Sequence, residues 1–501
     1  MSTVDSKNAV WSGLPQATIA LFFIQIFSTL SFSVLYSTLV LYMTKKLGIS
    51  TVSANSITGI FVAANFALHL LGGYCGGRFL SNRSLFCFGM IAQIIGCILL
   101  ALESEVYLYC ALGFFLTGSG LNVTCINCML TQRFNPKDHR REMAFLWNYA
   151  GMNIGFLVGF TLSGYFQLSH NYQRLFLLSS LGNLIALFVC LYFWHILDDK
   201  ETVYSRLSSE EKKRGILAGT VLVLTLPFLL SRLIHYADWA NKLILVIGAL
   251  MLVTTIGLAI QQQSRDVREK LLAFAVLMIV STVFWVLYQT GPMGLTHFIE
   301  NNVERHWGNM IIAPQWFQNV NTICIILGGP LLSYVLNRMR SHGIQVNIPT
   351  QFAFALLLIG LAFVFLPVGI ARASTSGMVS PGWIILSYTL QSVGELLISP
   401  IGYAMVGALV PNSLQGVMMG MWMLATGVGA TLSSYSSNWM TSGQETSLPL
   451  ATNSGYSDVF LNLGLFALAA SLLLFLLVPK LRQWITDKKN PLNNEVVSAT
   501  A

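Results

Sequence analysis

Long apolar segments separated by short polar ones dominate this chain of 501 residues. Six such segments come first, at 17–43, 57–73, 85–102, 106–130, 143–168 and 175–196. Two more lie at 216–233 and 243–261, and a second set of six lies at 271–289, 314–336, 352–370, 383–406, 414–435 and 459–478. Most of them reach the roughly 20 residues that a helix needs to cross the hydrocarbon core of a bilayer. The pattern predicts an all-α membrane protein with fourteen transmembrane helices arranged as six, two and six.

This arrangement predicts three parts of the chain. Residues 1–197 form an N-terminal six-helix bundle, 198–270 form a charged linker with two extra transmembrane helices, and 271–501 form a C-terminal six-helix bundle with a cytoplasmic tail. Two similar six-helix sets are typical of a carrier whose halves move around a site near the middle of the membrane. The linker charges at 210–214 are interpreted as a solvated face or a short surface helix.

Composition and charge agree with a membrane location. Hydrophobic residues make up 54% of the chain and charged residues only 10%, against about 25% charged residues in an ordinary soluble domain. With the N-terminus placed inside, 21 of the 28 Lys and Arg residues fall on the cytoplasmic side, as the positive-inside rule requires. We therefore expect both termini in the cytoplasm, the lipid bilayer as a partner and no nucleic-acid binding, although the net charge is +8.

Few residues inside the predicted spans can carry chemistry. Glu395 is the only acid well inside the twelve core spans, and His69 is the other titratable group at that depth. A carboxylate there costs about 2.5–3.5 kcal/mol on insertion scales, so it marks a functional site by default. The alternatives are a protonated, hydrogen-bonded glutamate and a buried neutral histidine. Ser399 shares a helix face with Glu395.

Other chemistries find little support in the sequence. Cys125 and Cys128 form a CxxC inside a predicted helix, where small packing residues are a better interpretation than a metal or redox site. The spans carry no HExxH, GxSxG or clustered acid pair, so we predict no enzyme activity. No cofactor and no metal are expected.

Several strings resemble the proton-coupled oligopeptide transporter family of the major facilitator superfamily, in particular its bacterial di- and tripeptide permeases. The string at 145–155 is similar to the family signature FYxxINxG, with Asn148 in place of its phenylalanine. Further matches are FWVLYQ at 284–289, NVER at 302–305, PQWFQNVN at 314–321, GELLISPIG at 394–402 and GVMMGMW at 416–422. The resemblance implies a major facilitator fold in the bacterial inner membrane and uptake of short peptides.

The resemblance also selects residues that would line the substrate site. Glu395 corresponds to the family's glutamate for the peptide amino group, with Ser399 one turn away. The other candidates on matched strings are Tyr149, Asn153, Gln289, Asn321 and Trp422. Each of these side chains could also be a packing residue. Glu395 and His69 are the candidates for proton coupling, because both can titrate.

The first helix departs from the family. The family string ExxERFxYYG carries two acids and an arginine, where this chain has Gln25, Ser28 and Thr29. The lysine of the fourth helix becomes Val123. We therefore expect a small amine-bearing substrate, first a di- or tripeptide or peptide-like compound, with proton coupling lost or altered. An amino acid or organic cation transporter, or a transport-inactive membrane sensor or scaffold, are the alternatives.

Overall fold

The structure is a computed structural model that describes residues 14–135, 138, 140–200, 202–342, 346–411, 414–441 and 448–486. The two termini, whose cytoplasmic location the sequence predicts, lie outside these ranges. Within the described ranges, fourteen helical spans are long and apolar enough to cross a membrane. The predicted all-α membrane class and the number of spans are confirmed, and the chain is a multi-pass membrane protein.

The described helices are named in chain order. They are α1 Gln16–Leu41, α2 Thr51–Cys75, α3 Asn82–Leu100, α4 Glu105–Thr131, α5 Arg140–Leu168, α6 Tyr172–Tyr192, α7 Val203–Arg206, α8 Ser209–His235, α9 Ala237–Gln261, α10 Arg265–Tyr288, α11 Thr296–Asn302, α12 Pro314–Ser341, α13 Ile348–Ala371, α14 Pro381–Leu409, α15 Gln415–Thr441 and α16 Pro449–Ile485. Two π-helical turns, Tyr42–Lys46 and Gly291–Leu295, follow α1 and α10, and a short antiparallel pair joins β1 His306–Trp307 to β2 Met310–Ile311.

The ninth span is longer than predicted. The apolar pattern predicts an end at residue 289, but α10, the π-turn and α11 form one span, Arg265–Asn302. Gly291 and Pro292 would normally stop a helix. Here the Thr290 carbonyl accepts hydrogen bonds from the backbone N–H groups of Met293 (3.1 Å) and Leu295 (3.0 Å), so the chain kinks and continues.

The linker also differs from the prediction. A four-residue helix, α7, lies within it, but the charges at 210–214 form the first turns of the membrane helix α8 rather than a separate surface helix. Glu211 accepts hydrogen bonds from the Ser208 N–H (2.9 Å) and hydroxyl (2.7 Å). This reciprocal cap lets a charged sequence start a helix that then enters the bilayer. The side chains at 210 and 211 are exposed, in agreement with the predicted solvated face.

The chain divides into two compact units, Met1–Tyr36 with Leu68–His235, and Ser37–Ala67 with Tyr236–Ala501. The boundaries therefore fall inside α1 and α2, and α8 belongs to the first unit while α9 belongs to the second. The three predicted parts follow sequence repeats instead of contacts, and that division stays a prediction.

In the first unit, α5 packs closely on α1 along a stripe of glycines. A Cβ at Gly151 would lie 3.0 Å from the Phe22 carbonyl oxygen, and one at Gly155 would lie 2.6 Å from the Ile26 carbonyl oxygen. Close backbone approach of this kind is typical of small residues between membrane helices. The stripe brings the side chains around Gln25 on α1 next to α5.

In the second unit, the end of α1 and the start of α2 pack with the C-terminal helices. Asn55 donates a hydrogen bond to Asn438 on α15 (3.0 Å), and Asn241 on α9 donates to the Ser56 carbonyl (3.0 Å). Thr431 on α15 donates to Asn241 (3.2 Å). Neutral side chains therefore hydrogen-bond to one another and to the backbone in the membrane region of this unit.

Candidate functional site

Glu395 lies in the middle of α14 and is half-buried. Among the described residues, it is the one acid more than ten residues from both ends of its membrane span. Asn321 on α12 donates a hydrogen bond to its carboxylate at 2.9 Å. The Tyr288 hydroxyl on α10 is also hydrogen-bonded to Glu395 and lies 3.4 Å from the Asn321 amide oxygen. Three helices of the second unit thus hold one carboxylate.

A second hydrogen bond fixes the orientation of Asn321. Its amide nitrogen also donates to the Ser392 hydroxyl at 3.0 Å, and Ser392 donates to the Tyr388 carbonyl at 2.6 Å. Ser392 and Tyr388 precede Glu395 by about one and two turns of α14. The carboxylate is therefore presented by a connected polar network, and such networks gain strength where the dielectric constant is low.

Two of the predicted substrate contacts belong to this environment. Asn321 touches Glu395, and Ser399 lies one turn beyond it on α14, also half-buried. A carboxylate hydrogen-bonded by an amide and a phenol can bind an ammonium group through charge-assisted hydrogen bonds.

Two others are deeply buried in the second unit. Trp422 on α15 is 3% exposed and belongs to the hydrophobic core, where it packs on Phe352 with 6.1 Å between ring centroids. Its indole ring also covers Gly402. Gln289 is 2% exposed and directly follows α10, where its backbone N–H donates to the Trp285 carbonyl at 2.9 Å. Their assignment to substrate binding stays a prediction.

The remaining candidates belong to the first unit. Tyr149 on α5 is exposed, and the Asn153 amide donates to the Tyr149 backbone carbonyl at 2.9 Å. His69 on α2 is buried, and its backbone carbonyl accepts a hydrogen bond from Thr124 on α4 at 2.8 Å. Their assignment to substrate binding or proton coupling stays a prediction.

The first unit contains a neutral cluster at the place of the family's first-helix charges. The Gln25 amide donates to the Thr29 hydroxyl at 2.8 Å. Asn148 on α5 donates to the Gln25 amide oxygen at 3.3 Å and to the Asn127 amide oxygen on α4 at 3.5 Å. Three helices thus meet through amides and a hydroxyl, and none of these four side chains carries a charge.

Sequence reasoning missed two residues of interest. Tyr288 lies in the FWVLYQ string, but the motif drew attention to its glutamine. His297 on α11 is 3% exposed and was overlooked because the predicted span ended eight residues earlier. His297 lies five residues from the end of the described span Arg265–Asn302, and the expectation that Glu395 and His69 are the titratable groups at membrane depth stays a prediction.

The cysteines and possible metal ligands form no recognisable centre in the part of the chain that the structure describes. No group of three or more His, Cys, Asp or Glu side chains there could hold a metal ion. Cys125 is buried on α4 and Cys128 is half-buried, both as free thiols. The Cys87 and Cys190 sulfur atoms approach to 3.7 Å across α3 and α6.

Known proteins resemble this chain over almost its whole length. It is 29% identical over 484 residues to the dipeptide and tripeptide permease A of Chromobacterium violaceum, covering 95% of each chain. It is 30% identical over 483 residues to the permease of the same name from Enterobacter sp. strain 638, covering 95% of this chain and 94% of that protein.

Solved structures have the same fold. The crystal structure of the peptide transporter POT in complex with sulfate has a TM-score of 0.83 at 22% identity, covering 96% of this chain and 97% of that one. A POT family transporter in complex with 5-aminolevulinic acid has a TM-score of 0.80 at 23% identity, covering 94% and 98%. These likenesses confirm the predicted major facilitator fold.

The family profile described as POT family matches residues 83–455. This match confirms the resemblance found in the sequence and the prediction of a transporter instead of an enzyme. Because the matched region is well over half of the chain, the protein belongs to the POT family.

Proposed function

We propose that this protein is a secondary transporter that moves di- and tripeptides, or similar amine-bearing compounds, across the bacterial inner membrane by alternating access. Glu395 binds the ammonium group of the substrate. The observation that carries this proposal is the half-buried carboxylate in the middle of α14, hydrogen-bonded by Asn321 and Tyr288. The permeases and POT transporters that the chain resembles support the substrate class.

The physical reason is the cost of leaving this carboxylate without a cation. Its insertion into the membrane centre costs about 2.5–3.5 kcal/mol, and neutral hydrogen bonds from an amide and a phenol offset part of that cost. An ammonium group offsets more, because both partners of the hydrogen bond are then ionised. Ser399 lies one turn away on α14 and is proposed to assist through its hydroxyl.

The direct test compares two ligands in two proteins. L-Alanyl-L-alanine has a free ammonium group, and N-acetyl-L-alanyl-L-alanine lacks it. The wild-type protein should bind the free dipeptide more tightly. In Glu395→Gln, which keeps the shape of the side chain, the affinity for the free dipeptide should fall by about 1.5–3 kcal/mol, and the difference between the ligands should vanish.

Ligand-induced thermal stabilisation of the purified protein gives a suitable readout, because a ligand stabilises the form that it binds. Glu300→Gln is a matched control, since Glu300 is an acid at the end of a span that pairs with Arg305 at 3.1 Å. An unchanged preference for the free dipeptide in Glu395→Gln would exclude Glu395 as the amine site.

Proton coupling through the first helix is not expected, because Gln25 and Ser28 do not titrate in the usable range of pH. Glu395 and His69 are the proposed proton carriers. If Glu395 binds both the proton and the amine, the two compete, which favours uniport or exchange over strong symport. The orientation with both termini and the α7 linker in the cytoplasm is proposed from the distribution of Lys and Arg.

A further inference from the structure

Three polar side chains form one ridge along α14. Ser399 and Tyr403 follow Glu395 by four and eight residues, the spacing that places helical side chains one above the other. Glu395 and Ser399 are half-buried, and Tyr403 is 48% exposed. The ridge therefore starts at the proposed amine site and becomes more accessible toward the C-terminal end of the helix.

The two sides of this ridge differ in how closely they are packed. Gly402 lies about 100° around the helix from Tyr403, and there the Trp422 indole ring occupies the space that a Cβ would need. Gly407 lies about 40° from Tyr403 on the other side, and a Cβ there would have no heavy atom within 4 Å. The space beside α14 is therefore on the side of Tyr403 and Gly407.

Hydroxyl groups are the donors that this ridge offers to an anion. α14 contains no Lys or Arg. On α12, whose Asn321 contacts Glu395, the first cation is Arg338, which follows Asn321 by about 25 Å of helix. A desolvated carboxylate without donors is costly. A phenol hydroxyl can donate one hydrogen bond to it, and hydrogen bonds to ionised groups are stronger than neutral ones.

The spacing of Glu395 and Tyr403 matches the length of a dipeptide. Their positions are about 12 Å apart along the helix axis. An extended dipeptide spans about 7 Å, and a hydrogen bond of about 2.8 Å at each end gives a total of about 13 Å. A single amino acid spans only about 3.5 Å, so it reaches one of the two side chains but not both.

We propose that the Tyr403 hydroxyl donates a hydrogen bond to the carboxylate of a dipeptide whose ammonium group is bound by Glu395. Tyr403 is then a specificity-determining residue, which selects dipeptides over single amino acids and over amines that lack a carboxylate. This inference rests on the proposed function, because it assigns the second end of the same substrate.

Three ligands test the inference with the purified full-length protein in lipid nanodiscs. L-Alanyl-L-alanine has both charged ends, L-alanine N-ethylamide keeps the ammonium group and the amide but lacks the carboxylate, and L-alanine is too short. We expect the wild type to bind the dipeptide about tenfold more tightly than the ethylamide, the lower end of what a hydrogen bond to a charged group contributes. L-Alanine should also bind more weakly than the dipeptide.

Two variants locate the effect. Tyr403→Phe removes only the hydroxyl, so it should bind the dipeptide and the ethylamide equally, with the ethylamide affinity of the wild type. Tyr334→Phe is the matched control, because Tyr334 is also an exposed tyrosine of this unit, at 67%. It lies on the opposite side of α12 from Asn321, about 140° around the helix. This control should retain the wild-type preference for the dipeptide.

The outcomes separate the inference from the proposed function. If the wild type binds the ethylamide as tightly as the dipeptide, the inference is wrong while amine binding stands. The same holds if Tyr403→Phe keeps the tenfold difference, or if Tyr334→Phe loses it to the same extent as Tyr403→Phe. If none of the three ligands binds the wild type, the proposed function and this inference fail together.

Discussion

Replacing Gly155 with alanine tests the close packing of α5 on α1, which positions the neutral cluster. A Cβ at this position would lie 2.6 Å from the Ile26 carbonyl oxygen and 2.9 Å from the Thr29 Cβ. Ordinary van der Waals contact begins near 3.4 Å. The contact with the Ile26 carbonyl oxygen is with backbone, which cannot rotate away. The two helices must therefore move apart locally by about 0.8 Å, the difference between 2.6 Å and 3.4 Å.

The magnitude follows from the cost of overpacking a well-packed interior, about 1–3 kcal/mol for added methylene-sized groups. The same displacement would weaken the hydrogen bond from Asn148 to Gln25, which is already 3.3 Å long. We therefore expect Gly155→Ala to lower the thermal stability of the purified protein.

Thermal unfolding of wild type and variant in the same detergent measures the effect. Gly257→Ala is the control, because a Cβ there has no heavy atom within 4 Å and the residue lies inside α9. Alanine in a helix interior is favoured over glycine by roughly 0.5–1 kcal/mol, so the control should unfold at or above the wild-type temperature. A Gly155→Ala protein as stable as the control would refute the close approach of α5 to α1.

Three other expectations concern stability, orientation and coupling. Arg133→Ala should destabilise the protein by about 1–2 kcal/mol, because the Arg133 side chain is 4% exposed and pairs with Asp198 at 3.2 Å. Arg140→Ala removes an exposed ion pair and should change the unfolding temperature little. Equal changes in unfolding temperature for the two variants would contradict this account. A fluorescent reporter that folds only in the cytoplasm should be active when it is inserted next to α7. If only a reporter that requires the periplasm is active at that position, the proposed orientation is wrong. In proteoliposomes, an imposed inward proton gradient should produce little accumulation of dipeptide, whereas uncoupler-sensitive accumulation retained in His69→Gln would assign the proton to Glu395 or to another path.

The helix count could be predicted from the sequence because each crossing needs a long apolar segment, whatever its tertiary contacts. The ends of the spans could not be predicted in the same way. Gly291 and Pro292 carry the usual signal for a stop, yet a π-turn satisfies the backbone around them. His297 therefore lies inside the described span, where it is 3% exposed.

The candidate site could be predicted only in part for a related reason. Glu395 is recognisable because a lone acid in an apolar segment is costly wherever it points. Its partners are recognisable only from the crossing of α10, α12 and α14, which brings Tyr288 and Asn321 to the carboxylate. Trp422 is recognisable from its motif position, and the structure adds its packing on Gly402 in the core. Its contact with substrate stays a prediction.

The neutral cluster illustrates how much a contact adds to a substitution seen in sequence. The loss of charge at Gln25 is visible from the motif alone. That Asn148 replaces an aromatic residue is also visible, but the link between the two positions requires the approach of α5 to α1.

The most direct test of the central claim is exchange of radiolabelled L-alanyl-L-alanine, or of a second unmodified dipeptide, across the membrane of liposomes that contain the reconstituted protein. We predict exchange well above that of protein-free liposomes for wild type, and a strong reduction in Glu395→Gln at the same amount of folded protein. Binding of these ligands without any exchange by the wild type would contradict the account and favour a transport-inactive sensor.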